Sequence, residues 1–234
     1  MFLKNIIYLI IGAGVTACSF ALNKTISAKA IPVSNSIKTN NSVDSMVNPY
    51  KLQLDQEMNE KITFAEVNFI NEKPSGNLGN LIADKMLEQA KSNLYPNMMC
   101  LLNFGGLRAT INQGDVTLGD IFKVLPFDNY LVYVKLKAEA APELKDWLIK
   151  TGGQPTAGFY LEKGKLLDAN KKDWPDADFW VLTSDYLLNG GDNANFFKKN
   201  IEVVQTNILM RDFFIKAVKG KVLSDNMEKR IILE

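Results

Sequence analysis

The chain has 234 residues, 47% of them hydrophobic and 23% charged, with 27 Lys+Arg against 26 Asp+Glu for a net charge of +1. This is a globular composition for one ordinary domain with a tail; it excludes wholesale disorder, two full enzyme domains and a general electrostatic field for a nucleic-acid polymer. The chain has no histidine, which removes, for this chain alone, every mechanism that needs an imidazole base or an imidazole metal ligand. His-dependent triads, zincins and His-ligated two-metal phosphatases are all excluded.

Residues 1–17 read as an export signal. Lys4 precedes an apolar run from Ile6 to Ala17, shorter than the roughly 20 residues that a membrane span needs. The run ends Val15-Thr16-Ala17-Cys18, which looks like a bacterial lipobox. In such signals the Cys is acylated, becomes the first mature residue and anchors the protein to a membrane. Ser19 is not an inner-membrane retention signal, which favours the outer membrane. Ala28-Lys29-Ala30 offers an ordinary cleavage site, but it lies beyond Lys24, far from the apolar run. The second of the two cysteines, Cys100, sits in Met98-Met99-Cys100-Leu101-Leu102 and reads as a small hydrophobe in a buried strand. A Cys18–Cys100 disulfide has no local support.

Residues 18–48 are rich in Ser, Asn, Thr and Lys without a sustained period, which predicts a flexible tether. Folded sequence is expected over 49–234. A short helix is predicted over Leu52–Ile62 and a strand over Thr63–Ile70. Leu78, Leu81, Ile82, Met86, Leu87 and Ala90 recur at helical spacing. Met98–Leu102 reads as a buried strand, Leu118–Val124 as a short helix, and Tyr130–Leu136 as a strand. Ala138–Lys150 reads as a helix stopped by Gly152-Gly153. Phe159–Leu161 and Lys165–Leu167 flank Gly164 as a hairpin. Phe179–Ser184 and Ile201–Gln205 read as strands, and Asn207–Lys219 as a helix with Gly220 past its end. The order predicts an α/β (α+β) domain with a mixed sheet.

Four segments place glycines and polar groups directly after apolar runs. They are Glu72-Lys73-Pro74-Ser75-Gly76-Asn77-Leu78-Gly79-Asn80-Leu81-Ile82-Ala83-Asp84, Asn103-Phe104-Gly105-Gly106-Leu107-Arg108, Val124-Leu125-Pro126-Phe127-Asp128-Asn129, and Thr183-Ser184-Asp185-Tyr186-Leu187-Leu188-Asn189-Gly190-Gly191-Asp192-Asn193. Each alone has a structural explanation. Glycine pairs serve tight turns, Asp after Gly-Gly caps helices, and Leu-Pro-Phe packs loops onto cores.

Together and in this order, the segments resemble the C-terminal domain of the 5'-nucleotidase family across roughly residues 50–234. The resemblance implies a nucleoside-binding domain. Phe127 and Tyr186 match that family's two base-stacking positions. Asp192 matches the acid that accepts from the ribose hydroxyls, Arg108 the arginine facing ribose or phosphate, and Asn103 an amide near the base edge. Gly105, Gly106, Gly190 and Gly191 would let backbone approach the ligand. Lys91 stands where the family often has a further arginine, and Asn193 replaces a commoner glycine. No residue here is expected to be catalytic.

The family's usual N-terminal domain is a metallophosphoesterase with two metal ions and a catalytic histidine, and nothing in this sequence matches it. No cofactor is expected in this chain; divalent metals are expected only in a partner metallophosphoesterase. The leading expectation is therefore a lipid-anchored, exported specificity domain of a split 5'-nucleotidase. An independent nucleotide-binding lipoprotein is the alternative. A degenerate domain kept as an adhesion surface accords less with the four site residues.

Overall fold

Phe179–Ser184 is buried along its whole length, and the largest sheet is built around it. The structure, a computed structural model, describes residues 28–31, 40–90, 95 and 97–233. The export signal, the expected acylation site Cys18 and the expected ligand contact Lys91 lie outside these residues. The chain divides into two units, Met1–Met46 and Val47–Glu234. The first is described only over 28–31 and 40–46.

Helix α1, Asn41–Met58, starts earlier and ends sooner than its apolar spacing predicts, and it buries no side chain. Its start is set by Asn40, whose Oδ1 accepts from Ser42 N at 3.1 Å, a cap that offsets the poor helix propensity of the Ser/Asn-rich stretch. Residues 41–48, which composition assigns to the tether, are helical. At the other end Ile62 belongs to strand β1, Lys61–Ala65, because β1 is claimed by two partners. It pairs antiparallel with β3, Gly114–Thr117, and parallel with β10, Val222–Leu223. The expected continuation of β1 to Ile70 shrinks to one bridge, Phe69 with Ile111.

The central sheet has the order β5-β2-β8-β4-β9, from Thr156–Ala157 (β5), Met98–Leu101 (β2), Phe179–Ser184 (β8), Tyr130–Leu136 (β4) and Asn200–Leu209 (β9). Strands β2 and β8 run parallel, with Cys100 opposite Leu182. Strand β4 is antiparallel to β8, with Leu131 opposite Ser184. Strand alternation sends successive side chains to opposite faces, and each face carries its own core. Cys100, Leu131 and Leu182 join α2 (Asn77–Ala90), α3 (Leu118–Val124) and α6 (Met210–Val218) on one side. Met99, Leu101, Val132, Val134 and Val181 join α4 (Ala141–Lys150) on the other. Cys100 is fully buried, and burial pushes its thiol far above the ordinary value.

The second core also takes in the hairpin of β6 (Phe159–Glu162) and β7 (Lys165–Asp168), paired as their spacing about Gly164 predicts. Strand β11, Ile231–Ile232, runs parallel to β6. The short helix α5, Asp185–Leu188, follows β8 directly. Helix α6 begins three residues later than predicted. Asn207 takes a left-handed backbone, φ +55°, and β9 keeps its pairing to Leu209, opposite Tyr130. Gly220, at φ +73°, ends the helix segment as expected.

The polar residues of the Gly-Asn-Leu segment serve the scaffold. Asn77, Asn80 and Asp84 lie at helical spacing on α2. Asn77 Nδ2 donates to Asp225 Oδ1 at 3.0 Å, and Asn80 Nδ2 to the carbonyl of Glu228 at 2.8 Å. Asp84 Oδ2 accepts from Asn226 Nδ2 and from Arg230, each at 2.8 Å. Arg230 is buried and also donates to the carbonyl of Thr156 at 2.6 Å and to Glu228 at 3.1 Å. The C-terminal segment is thereby fastened to α2 and to the sheet. Only the Arg230 end of these pairs is buried, while Asp84 and Glu228 keep contact with water, and losing a hydrogen bond to a charged group costs about 1.5–3 kcal/mol. Arg230→Leu is therefore expected to lower unfolding free energy by that order in urea titrations. Glu228, held below its ordinary pKa first by the Tyr160 hydroxyl, adds an acid sensitivity. Its contribution is complete above the unfolded value of about 4.3 and is lost as pH falls through the lower folded value.

Candidate functional site

Parallel neighbours send their following loops out of the same sheet edge, and an antiparallel neighbour enters there. The loops after β2 and β8 and the loop before β4 therefore meet. They carry the second, fourth and third sequence segments. Asn103, Gly105, Arg108, Phe127, Tyr186 and Asp192 line one cleft of about 380 Å³ together with Asn129, the last residue of the third segment, to which the resemblance gave no role. Gly106 and Gly190-Gly191 sit in the turns that form its walls. Phe127 and Tyr186 are 48% and 41% exposed, so both rings open to the cleft and neither belongs to the core. A more open groove of about 620 Å³ lies at the opposite sheet edge, around Lys137, Trp174 and Ile201; none of the four segments reaches it.

Asp192 is the most constrained of these residues. Its backbone is left-handed, φ +50°, as is that of Asn193, φ +59°. A non-glycine residue in this region carries about 1–3 kcal/mol of strain. Trp147 of α4, itself buried, donates its indole N–H to the Asp192 carbonyl at 2.9 Å. The carboxylate is held from both sides. Oδ1 accepts from the Tyr186 hydroxyl at 2.9 Å and Oδ2 from Asn103 Nδ2 at 3.1 Å. Donation to the carboxylate holds the Tyr186 phenol above its ordinary pKa. Gly191 is required here because a Cβ would overlap the Tyr186 ring.

The turn from Asn103 to Arg108 is fixed by residues that the motif does not contain. Gln154 Oε1 accepts from Phe104 N at 2.7 Å, and Asn71 Nδ2 donates to the carbonyls of Phe104 and Leu107, both at 3.1 Å. Arg108 N donates to the Val124 carbonyl at 2.9 Å, which ties the second segment to the third. The exposed Arg108 side chain lines the cleft. The loop bearing Phe127 is clamped by Arg211 of α6, which is buried and donates to the Leu125 carbonyl at 3.0 Å and to Asp128 Oδ1 at 2.7 Å. Trp147, Gln154, Asn71 and Arg211 all escape sequence reading. Their partners are chiefly backbone carbonyls and amides of distant loops, and their own neighbours form no motif.

This arrangement presents two half-exposed aromatic faces, an oriented carboxylate and a guanidinium around one opening. It suits a flat, π-bearing ligand with hydroxyl donors and an anionic end.

Residues 61–165 match the model of the family described as 5'-nucleotidase, C-terminal domain. The chain is 31% identical over 229 residues to the trifunctional nucleotide phosphoesterase protein YfkN of Bacillus subtilis (strain 168), covering 86% of this chain and 16% of that protein. It is 25% identical over 244 residues to the 5'-nucleotidase of Rattus norvegicus, covering 82% and 42%. The crystal structure of a 5'-nucleotidase precursor from Thermus thermophilus superposes with a TM-score of 0.70 at 25% identity, over 82% of this chain and 43% of that one. Residues 61–165 thus resemble a 5'-nucleotidase C-terminal domain, and the chain spans less than half the length of these relatives. The sequence has no histidine, and among the described residues no three His, Cys, Asp or Glu side chains gather to hold an ion. Among the described residues no helix is long and apolar enough to cross a membrane.

Proposed function

We propose that this chain is the nucleoside-binding specificity domain of a 5'-nucleotidase, with the metals and the attacking water supplied by a separate metallophosphoesterase chain. The observation that carries the reading is the convergence of Phe127, Tyr186, Asp192 and Arg108 on one cleft. The base lies between the two rings. Each base–aromatic stack contributes about 1–3 kcal/mol and tolerates any base, because every base has a π-face. Asp192 accepts from the ribose hydroxyls, with charge-assisted bonds stronger than neutral ones. Arg108 faces the phosphate side, as a planar donor fork suited to an anion. Lys91 is proposed as a second cation at that side. Gly105, Gly106, Gly190 and Gly191 keep backbone close to the ligand.

In this arrangement the domain works by binding and orientation. Holding the nucleoside places the phosphate ester at a fixed point for a partner's metal-activated water, and such positioning is a large part of catalysis. The domain is proposed to be exported and held at a bacterial membrane, on the outer-membrane side, by acylation of Cys18.

Three outcomes are expected. In isothermal titration, Phe127→Ala weakens adenosine binding by about 1–3 kcal/mol with little change in unfolding midpoint, since a half-exposed ring carries little of the core. The purified chain releases no phosphate from AMP with Mg²⁺, Mn²⁺ or Zn²⁺ present, but does so once an exported metallophosphoesterase chain is added. Metal-stimulated turnover by the chain alone contradicts the split arrangement. Mass spectrometry of the mature N-terminus finds an acylated Cys18; an unmodified N-terminus at Ile31 contradicts the anchor.

A further inference from the structure

We infer that the Tyr186 hydroxyl is a positioning group for Asp192, so that one side chain both stacks on the base and orients the acid that receives the sugar. The inference rests on the nucleoside reading of the cleft and deepens it by giving the Tyr186 hydroxyl a role beside that of its ring.

The argument starts from the freedom of an exposed carboxylate. A free Asp side chain turns about its last torsion, which is broad and two-fold. Here both oxygens are taken. The Tyr186 hydroxyl donates to Oδ1 at 2.9 Å and the Asn103 amide to Oδ2 at 3.1 Å, the first from the short helix after β8 and the second from the turn after β2. The carboxylate plane is therefore set by the sheet rather than by its own rotamer. An ionised carboxylate offers about four lone-pair sites. With one protein donor on each oxygen, a second site remains on each. Two acceptors on one fixed plane match two adjacent hydroxyls, while a sugar lacking either hydroxyl leaves one oxygen without its ligand donor.

The hydroxyl is separable from the ring. A phenyl ring in this place offers the same π-face for stacking, so stacking alone gives no reason for the oxygen. The turn is also shaped to receive it. Gly191 lacks the Cβ that would overlap the Tyr186 ring, and the Trp147 indole fixes the Asp192 carbonyl at 2.9 Å. Ring, turn and carboxylate thus form one unit. The raised phenol pKa, caused first by the bond to Asp192, has the direction this contact requires.

The test compares adenosine with 2′,3′-dideoxyadenosine by isothermal titration on the full chain, for wild type, Tyr186→Phe, Asp192→Asn and the double variant. Tyr186→Phe is expected to lower adenosine affinity about 3–10-fold and to leave dideoxyadenosine within about twofold. In the Asp192→Asn background Tyr186→Phe adds no selective loss. Equal loss for both ligands, as from a collapsed site, or no loss for adenosine, overturns the positioning role while leaving the nucleoside site intact. Wild-type chain that binds neither ligand overturns the nucleoside reading and this inference with it.

Discussion

Strand β8 pairs parallel with β2 and antiparallel with β4, and the position of every cleft residue follows from that pairing. Its six residues are buried on both faces, so its register cannot slip without moving a core residue into the opposite core. Cys100 opposite Leu182 and Leu131 opposite Ser184 bring three loops out at one sheet edge. Tyr186 leaves β8 two residues after Ser184, Asn103 leaves β2 two residues after Leu101, and Phe127 arrives three residues before Tyr130. The cleft is a consequence of strand order before it is a consequence of motif chemistry.

Strand pairing alone leaves loops loose, and a second set of contacts removes that freedom. Each acts on backbone at the base of a loop: Arg211 on the Leu125 carbonyl, Gln154 on Phe104 N, Asn71 on two carbonyls of the glycine turn, Trp147 on the carbonyl of Asp192. A neutral hydrogen bond contributes about 0.5–1.5 kcal/mol net, comparable to the strain of a left-handed non-glycine residue. The Trp147 bond therefore offsets much of the cost of holding Asp192 in that conformation. The ligand-facing groups are left with little reorganisation to undergo on binding, which is where affinity is otherwise lost. The Arg230 network along α2 has a different role, closing the chain onto the scaffold through Asp84, Glu228 and the Thr156 carbonyl.

The elements legible in the sequence were those with clear apolar patterns or turn signals: α2, α3, β2, β4, β8 and the hairpin about Gly164. The cleft residues were legible because three segments carry them in a recognisable order, and the structure brings six of the named side chains and turns to one opening. What escaped has a common cause. Asn40 caps α1 from inside a stretch whose composition reads as linker. Asn207, left-handed, holds β9 in its ladder where helical spacing already begins. Arg211, Trp147 and Asn71 act across more than thirty residues on backbone atoms, which no local pattern encodes. The Gly-Asn-Leu segment shows the converse: its spacing was evident, yet its polar side chains bind the C-terminal segment rather than the cleft.

The central claim is that one nucleoside is held between Phe127 and Tyr186 with its sugar on Asp192. A crystal structure of the full chain with adenosine tests it most directly. The account predicts the base between the two rings, the 2′- and 3′-hydroxyls each on one Asp192 oxygen, and the 5′-carbon toward Arg108. Adenosine seated elsewhere, or in this cleft with its ribose turned away from Asp192, contradicts it.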